Sequence, residues 1–314
     1  MFGRSKALLA RAHSKGLIHF DTIRRTGSIR RAAQLLHVSP SALNRQLLEL
    51  ESRVGYPLFE RLSRGLRLTS AGEILARHAI TVLQDEERMS AELDGLRGLR
   101  TGHVDLVTVE SLTHNLVPSM LARMTACHPG ISASVSIAGS SKAAEAVVDG
   151  TADVAISFVS SHHDGLRQLA AFPFSLGAAV RPDHPLAASG IVTFAQCAQY
   201  PLVLPAPEIS ISEAIQPLLD SFQGPLQILL QTNSFELMKR AAEQGRGVVF
   251  VNRLGIEEPL ERGTLVHLPV RDVKASVLSI HVRRGRSLTP ALERFCTFAE
   301  EEIRQRHEKE IKTS

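Results

Sequence analysis

Cysteine is scarce in this sequence: 314 residues hold three, Cys127, Cys197 and Cys296, about 70 and about a hundred positions apart. No Cys-x-x-Cys or Cys/His spacing occurs, so neither a disulfide framework nor a structural zinc site is indicated, and a reducing, cytoplasmic setting is the expectation. Long apolar runs are missing as well. None approaches the roughly 18–20 residues that span a bilayer, which excludes an integral membrane protein. The opening MFGRSKALLARAHSKG offers only the short apolar stretch Ala7–Ala10, too weak for the core of a secretory leader. Catalytic signatures are absent too: there is no HExxH, no GxSxG and no Walker A. Gly245-Arg246-Gly247 lacks the third glycine and the acidic partner of a dinucleotide fingerprint, and Asp183-His184 has no nucleophile beside it. Among 13 histidines the one tight cluster is His162-His163-Asp164, a single loop without the three or four convergent ligands a metal needs. No enzyme, cofactor or metal is expected.

What is present is ordinary in bulk, with 44 % hydrophobic and 22 % charged residues. The length suggests two or three domains. The charge, however, is divided. Residues 1–72 carry 13 Lys/Arg against four acids, a net +9, while the remainder carries 23 against 28, a net −5. A small basic head on a slightly acidic body suggests a polyanion-binding module joined to something else; a solvated basic surface would look the same from charge alone.

The head reads as three helices. Leu17, Phe20 and Ile23 fall at helical spacing over residues 17–25, and Gly27 stands where a helix C-terminus takes a left-handed residue. Ser28 sits at an N-cap, and Ile29, Ala32, Ala33 and Leu36 form one buried stripe. After the short connection His37-Val38, Ser39-Pro40 is a cap followed by proline at the first helical position. The third helix puts Leu43, Leu47 and Leu50 on one face and Ser41, Asn44 and Arg45 on another. A donor-rich face at the start of the second of two helices joined by a tight turn is helix-turn-helix geometry. Such a helix fits the major groove, where Asn pairs with adenine and Arg with guanine, while serine hydroxyls and free amides suit phosphate. A small helical bundle with an exposed polar helix is the bland alternative. Arg61, Arg64 and Arg67, spaced by three around Gly65, then read as a short hairpin wing facing the flanking backbone, or as a solvated loop. Ser70-x-x-Glu73 reads as a capping box opening a new helix.

In their order these residues resemble the DNA-binding region of the LysR-type transcriptional regulators. Phe20, Gly27-Ser28, Ala32-Ala33, Leu35 and Ser39-Pro40-Ser41 match that family's pattern, as do Leu50-Glu51, Gly55, Leu58-Phe59-Glu60-Arg61, Arg64-Gly65 and Leu68-Thr69-Ser70-Ala71-Gly72. Asn44 departs from it, standing where the family usually has Ser, and about fifteen residues precede the first helix, more than is common. The resemblance implies DNA contacts from Ser28, Ser39, Pro40, Ser41, Asn44, Arg45, Arg64, Arg67 and Thr69.

From Glu73 to about Leu93 there is no Pro or Gly. Leu75, Ala79, Val82, Glu86, Met89, Leu93 and Leu96 alternate in steps of four and three, a coiled-coil seam broken by Glu86, or an amphipathic helix packed on its own body. The resemblance implies that this helix pairs two chains and sets two heads on neighbouring half-sites.

Beyond it, Val104–Val109, Ile131–Ile137 and Asp153–Phe158 read as strands alternating with helices Pro118–Ala126 and Lys142–Val148, the rhythm of a parallel, doubly wound sheet. Its ligand site is expected at the loops past the strand C-termini, 110–113, 139–141 and 157–160. These are rich in hydroxyls and suit a polar or anionic small molecule. Ser111, Thr113, Ser140, Ser141 and Ser157 are the candidates there, although Ser111, Ser140 and Ser157 serve equally well as helix caps. A second lobe begins near Val180, where Arg181-Pro182-Asp183-His184-Pro185-Leu186-Ala187 resembles a family hallmark. In it, Thr232-Asn233-Ser234 caps a helix over 235–244, which makes Asn233 a further candidate, and Gly245-Arg246-Gly247 leads into the strand Val248–Val251. Asn252 stands where the family has Pro. Ser276–Val282 then returns to the first lobe, and the helix Pro290–His307 closes it.

The expected fold is an α+β multidomain chain. It comprises a winged helix-turn-helix at residues 1–72, a linker and dimerisation helix at 73–100, and a two-lobed α/β, periplasmic-binding-protein-like effector domain at 101–314. Lobe I is expected at 101–179 with 276–314, and lobe II at 180–275. The resemblance implies a cytoplasmic regulator that binds double-stranded promoter DNA as a homodimer or homotetramer, answers to a small-molecule effector in the inter-lobe cleft, meets RNA polymerase if it is an activator, and touches no membrane. A solute carrier and an enzyme with an attached DNA-binding head are the rival readings.

Overall fold

The computed structural model describes residues 15–63, 65–96, 101–158, 163–271 and 273–313. They group into two compact units. One runs up to Thr101 and takes in Asp149–Thr151 and Gly285–Pro290; the other comprises Gly102–Val148, Ala152–Arg284 and the chain from Ala291.

In the first unit, α1 (Lys15–Thr26), α2 (Ile29–Leu35) and α3 (Pro40–Val54) close on a core of Phe20, Ile23, Ala32, Ala33, Leu43 and Leu47. The paired alanines allow the close approach. Gly27 has φ +61, and Ser28 and Ser39 cap α2 and α3 by accepting from the amides of Arg31 and Ala42. His37 turns the chain between them in the left-handed region, at φ +55. A hairpin of β1 (Phe59–Leu62) and β2 (Gly65–Leu68) follows, with Phe59 opposite Leu68 and Leu62 opposite Gly65. It is fixed from two sides. The Leu66 amide donates to the Gly27 carbonyl at 2.9 Å, and the Glu51 carboxylate accepts from the amides of Leu58 and Phe59 at 2.7 and 3.3 Å.

Helix α4 (Ser70–Leu96) carries the chain out of the head. Its cap is Thr69 rather than the expected Ser70: the Thr69 hydroxyl accepts from the Gly72 amide at 3.0 Å and donates to the Pro57 carbonyl at 2.6 Å. That second bond anchors the helix start to the hairpin, which a cap one residue later would not do. The apolar seam divides in two. Leu75 and Ala79, with Ala76, belong to the head's own core, whereas Met89 and Leu93 are exposed and Glu86 is buried. The first half is thus an amphipathic face packed on its own domain, and the second half retains exposed apolar side chains.

In the second unit, β3 (Gly102–Thr108), α5 (Leu116–Cys127), β4 (Ile131–Ile137), α6 (Ser140–Val148), β5 (Val154–Ser157) and β6 (Leu166–Phe174) begin lobe I. Lobe II holds β7 (Leu176–Val180), α7 (Phe194–Cys197), β8 (Leu202–Pro205), α8 (Ser210–Ser221), β9 (Ile228–Thr232), α9 (Phe235–Glu243), β10 (Val248–Asn252), α10 (Glu257–Glu261) and β11 (Val266–Pro269). The chain then returns to lobe I as β12 (Ser276–Arg283) and α11 (Pro290–Thr313). The two five-stranded sheets have the orders β4-β3-β5-β12-β6 and β11-β7-β10-β8-β9.

Each sheet is mixed, not parallel throughout as the strand–helix rhythm suggests. β4, β3 and β5 are parallel, while β12 runs antiparallel to both β5 and β6. In the second sheet β9, β8 and β10 are parallel, and β7 runs antiparallel to β10 and β11. The lobe boundary also moves. β7 already belongs to the second sheet, so the first crossing lies at Ser175, not near Val180, and there the Ser175 amide donates to Glu310 of α11 at 2.7 Å. The core of lobe II lies on both faces of its sheet: Val248 and Phe250 pack on one side, Val249 and Val251 on the other.

Gly72 sets the sharpest steric demand in the head, because a Cβ there would stand 2.1 Å from the Leu58 carbonyl oxygen. Gly72→Ala is expected to destabilise the head by about 1–3 kcal/mol through overpacking. Calorimetry of the full chain will read this as a lower melting temperature for one transition; an unchanged thermogram would contradict the close packing of α4 on the hairpin.

Candidate nucleic-acid interface and effector cleft

Burying Leu43 and Leu47 against Phe20, Ile23 and the two alanines turns the opposite side of α3 outward. Ser39, Pro40, Ser41 and Arg45 are exposed there and Asn44 is half-buried. The Ser39 and Ser41 hydroxyls lie 3.2 Å apart, and Arg61 of the wing donates from Nη2 to Asn44 Oδ1 at 3.2 Å. This bond joins the α3 face to the hairpin, a link the residue pattern does not indicate. Arg67 forks onto Glu60 across the hairpin, with both bonds at 3.2 Å. Both side chains are exposed, so the pair is weak and exchangeable. Ser28 is engaged as a cap and Thr69 is committed to Gly72 and Pro57. Arg64 lies outside the described residues. The surface can donate hydrogen bonds from serine, asparagine and arginine at a helix start, with guanidinium groups on the flanking hairpin.

In lobe I, β4, β3 and β5 run parallel, with Thr108 paired to Ile137 on one side and to Ile156 on the other. Their C-terminal ends therefore lie in one row. The 3₁₀ turn Glu110–Thr113, the start of α6 and Ser157 all follow from that row. Ser140 and Ser157 are buried, and neither hydroxyl has a hydrogen-bond partner. Ser140 thus serves no cap, and Ser157 lies inside a strand. Ser111 is buried within the 3₁₀ turn. Thr113 donates to the Glu110 carbonyl at 2.7 Å, a bond internal to its own turn. Ser141 is exposed.

The matching ends of β8, β9 and β10 belong to lobe II. Within the run Thr232-Asn233-Ser234 the cap of α9 is Ser234, whose hydroxyl accepts from the Leu237 amide, and the candidate Asn233 is exposed. The two rows of loops meet. Glu110 reaches from lobe I to the first turn of α9 and accepts from the Phe235 amide at 2.6 Å, the Ser234 hydroxyl at 3.3 Å and the Glu236 amide at 3.4 Å. Next to it the His114 ring lies 5.9 Å from that of Phe235, and His114 Nε2 is 3.5 Å from Glu236. Burial, with Lys239 nearby, lowers the His114 pKa against the pull of the surrounding glutamates. A Cβ on Gly139 would stand 2.5 Å from the Glu208 carbonyl, so the lobes also touch at that edge.

Two residues with evident chemistry stand outside the expected set. Glu110 is one; its signal in the sequence is a single acid at a strand end within a hydroxyl-rich turn. Asn252 is the other. It is fully buried, and neither its Oδ1 nor its Nδ2 has a partner. The sequence marks it only as a departure from proline.

Three further ionisable groups, Glu302, His267 and Cys197, serve the scaffold. Burial works against the charge on Glu302, but bonds from Arg123, Ser119 and Arg306 outweigh it and bring its pKa down to about 2. Burial lowers His267 to about 4 and leaves a neutral ring facing the Val251 carbonyl at 3.0 Å. It pushes the Cys197 thiol up to about 12, so no thiolate forms there at neutral pH. His163 accepts from the Gly165 amide at 3.2 Å in a turn, and His162 lies outside the described residues. No described helix is long and apolar enough to cross a membrane.

Residues 15–73 match the family profile described as "Bacterial regulatory helix-turn-helix protein, lysR family", and residues 97–304 match "LysR substrate binding domain". A RuBisCO operon transcriptional regulator of Allochromatium vinosum is 26 % identical over 289 residues, covering 92 % of this chain and 95 % of its own. The HTH-type transcriptional regulator CbbR of Rhodospirillum rubrum is 25 % identical over 288 residues, covering 91 % and 95 %. Among solved structures, a full-length OxyR variant from Pseudomonas aeruginosa superposes with a TM-score of 0.72 at 18 % identity, over 92 % of this chain and 93 % of that one. ArgP from Mycobacterium tuberculosis gives a TM-score of 0.67 at 19 % identity, over 91 % and 96 %. With both profiles matched in order along one chain, this protein belongs to the LysR-type transcriptional regulators: it has a DNA-binding helix-turn-helix and a substrate-binding domain, and it is not an enzyme.

Proposed function

We propose that this regulator binds a specific promoter sequence through α3 and that a small polar or anionic effector in the cleft between the lobes modulates that binding or the bending of the DNA. In this reading residues 1–72 hold the duplex, 73–100 link two chains, and 101–314 sense the effector. The observation that carries it is the division of α3 into an apolar side sealed in the head's core and a side bearing Ser39, Ser41, Asn44 and Arg45 toward solvent. The net +9 of residues 1–72 supplies the attraction to phosphate that such a face needs. Arg45 and Asn44 read base edges. Ser28, Ser39 and Ser41, with the amides at the start of α3 opened by Pro40, meet phosphates, and Arg64 and Arg67 serve the flanking backbone, whereas Thr69, expected there too, commits its one hydroxyl proton to the Pro57 carbonyl. The exposed Met89 and Leu93 favour pairing of α4 with a second copy, in a homodimer or homotetramer. An activator of this design also meets RNA polymerase, in the cytoplasm where promoter and polymerase are.

The effector acts by stabilising one of two arrangements of the lobes. It does so only as far as its affinities for the two differ, and about 1–3 kcal/mol of coupling suffices. The orphaned hydroxyls of Ser140 and Ser157 and the orphaned amide of Asn252 support a polar ligand in the cleft. A buried polar group without a partner is costly and gains most from one.

Arg45→Ala is expected to lower specific promoter affinity by about 1–3 kcal/mol and to relax preference at one base pair. Fluorescence anisotropy across operator variants measures this. A uniform loss with a shallower salt dependence would make Arg45 a phosphate contact instead. Ser140→Ala is expected to abolish the effector response of a reporter while operator binding persists; an unchanged response would remove Ser140 from the ligand site.

A further inference from the structure

The Glu110 carboxylate makes three bonds to the other lobe. Its oxygens accept from the Phe235 amide at 2.6 Å, the Ser234 hydroxyl at 3.3 Å and the Glu236 amide at 3.4 Å. Residues 110 and 234–236 belong to different lobes, each with its own sheet, so these three bonds join the lobes directly. The first amides of a helix have no intrahelical acceptor, and the helix dipole favours negative charge beside them. In most anion-binding helices that charge arrives with a ligand. Here the chain supplies it.

We propose that Glu110 is a built-in carboxylate latch that holds the lobes shut, and that a ligand gains the cleft by replacing this carboxylate with an anionic group of its own; this rests on the cleft being the effector site. Several features suit a latch better than a local cap. Thr113 donates to the Glu110 carbonyl at 2.7 Å, so the turn that aims the carboxylate is tied down independently of its target. Ser234 accepts from Leu237 while donating to Glu110, so one hydroxyl both caps α9 and joins the lobes. Phe235, the residue whose amide makes the shortest bond, is anchored in the lobe II core, where its ring abuts Gly255, so its own lobe holds the helix end. The other acid in this turn, Glu236, is engaged by Lys239 and Arg240 of its own helix and approached by His114 at 3.5 Å, so Glu110 is the carboxylate that the amides hold. Opening the lobes therefore returns both the carboxylate and the amides to water, and an incoming carboxylate that takes the amides leaves Glu110 without its partners.

The test is chemical rescue in the full-length protein. Wild type, Glu110→Ala and Glu110→Gln are melted in sodium chloride and in sodium acetate at equal ionic strength. Glu110→Ala is expected to melt lower than wild type in chloride and to recover with acetate in a saturable way, while wild type responds equally to the two salts. Identical acetate responses in Glu110→Ala and wild type would overturn the latch. Amide exchange gives a second reading that does not depend on the alanine variant folding: in Glu110→Gln the Phe235 and Glu236 amides are expected to exchange roughly tenfold faster than in wild type. Unchanged protection there would also overturn it. Duplex binding by the same wild-type preparation separates the two levels of the account. Loss of DNA binding would remove the promoter reading and leave the acetate result standing, and the converse outcome would remove the latch alone.

Discussion

Helix α3 has to satisfy two environments at once, and the architecture of the head follows from this. Leu43 and Leu47 are taken into a core built from Phe20, Ile23, Ala32 and Ala33. With 3.6 residues per turn, that choice leaves Ser41, Asn44 and Arg45 no course but outward. The small alanines let α2 and α3 approach closely, the serine caps fix where each helix starts, and Glu51 ties the far part of α3 to the hairpin. The polar face is therefore turned to solvent, while Gln46 on the same helix keeps a buried Oε1 without a partner.

The body applies similar physics to a different end. Parallel strands end in a row, and the loops after them become helix starts with unsatisfied amides. Two such rows, one from each lobe, meet where Glu110 reaches the first turn of α9. The need at the first turn of α9 is met from within the chain by Glu110, while the buried side chains of Ser140, Ser157 and Asn252 lack partners among the described residues.

Most of this is legible in the residues, and what is not has physical causes. The helix starts at Ser28 and Ser39-Pro40 are readable because capping chemistry is local. The edge strands β6 and β11 are not: Pro173 and Pro269 break the strand pattern, and proline is tolerated there because an edge strand has amides that need no ladder partner. The mixed sheet order depends on β7, which runs against β10 and β11, and on β12, which returns from the far end of the chain against β5 and β6; no local pattern encodes either. The cap of α4 moves to Thr69 because the hairpin's Pro57 carbonyl, twelve residues away, takes a bond from the same hydroxyl. In the cleft, the serines are identifiable by type and position, but their lack of partners is a property of burial and is not written in the sequence. Glu110 carries no local signal of its role because its partners lie 124 to 126 positions away.

Contact between the outward face of α3 and duplex DNA is tested most directly by the affinity of the full chain for its promoter fragment as salt is raised. Tight binding is expected at low salt, with a linear fall of log affinity with log salt concentration at a slope set by several released counterions, and a residual preference over random duplex throughout. Failure to bind any duplex at low salt would contradict it outright.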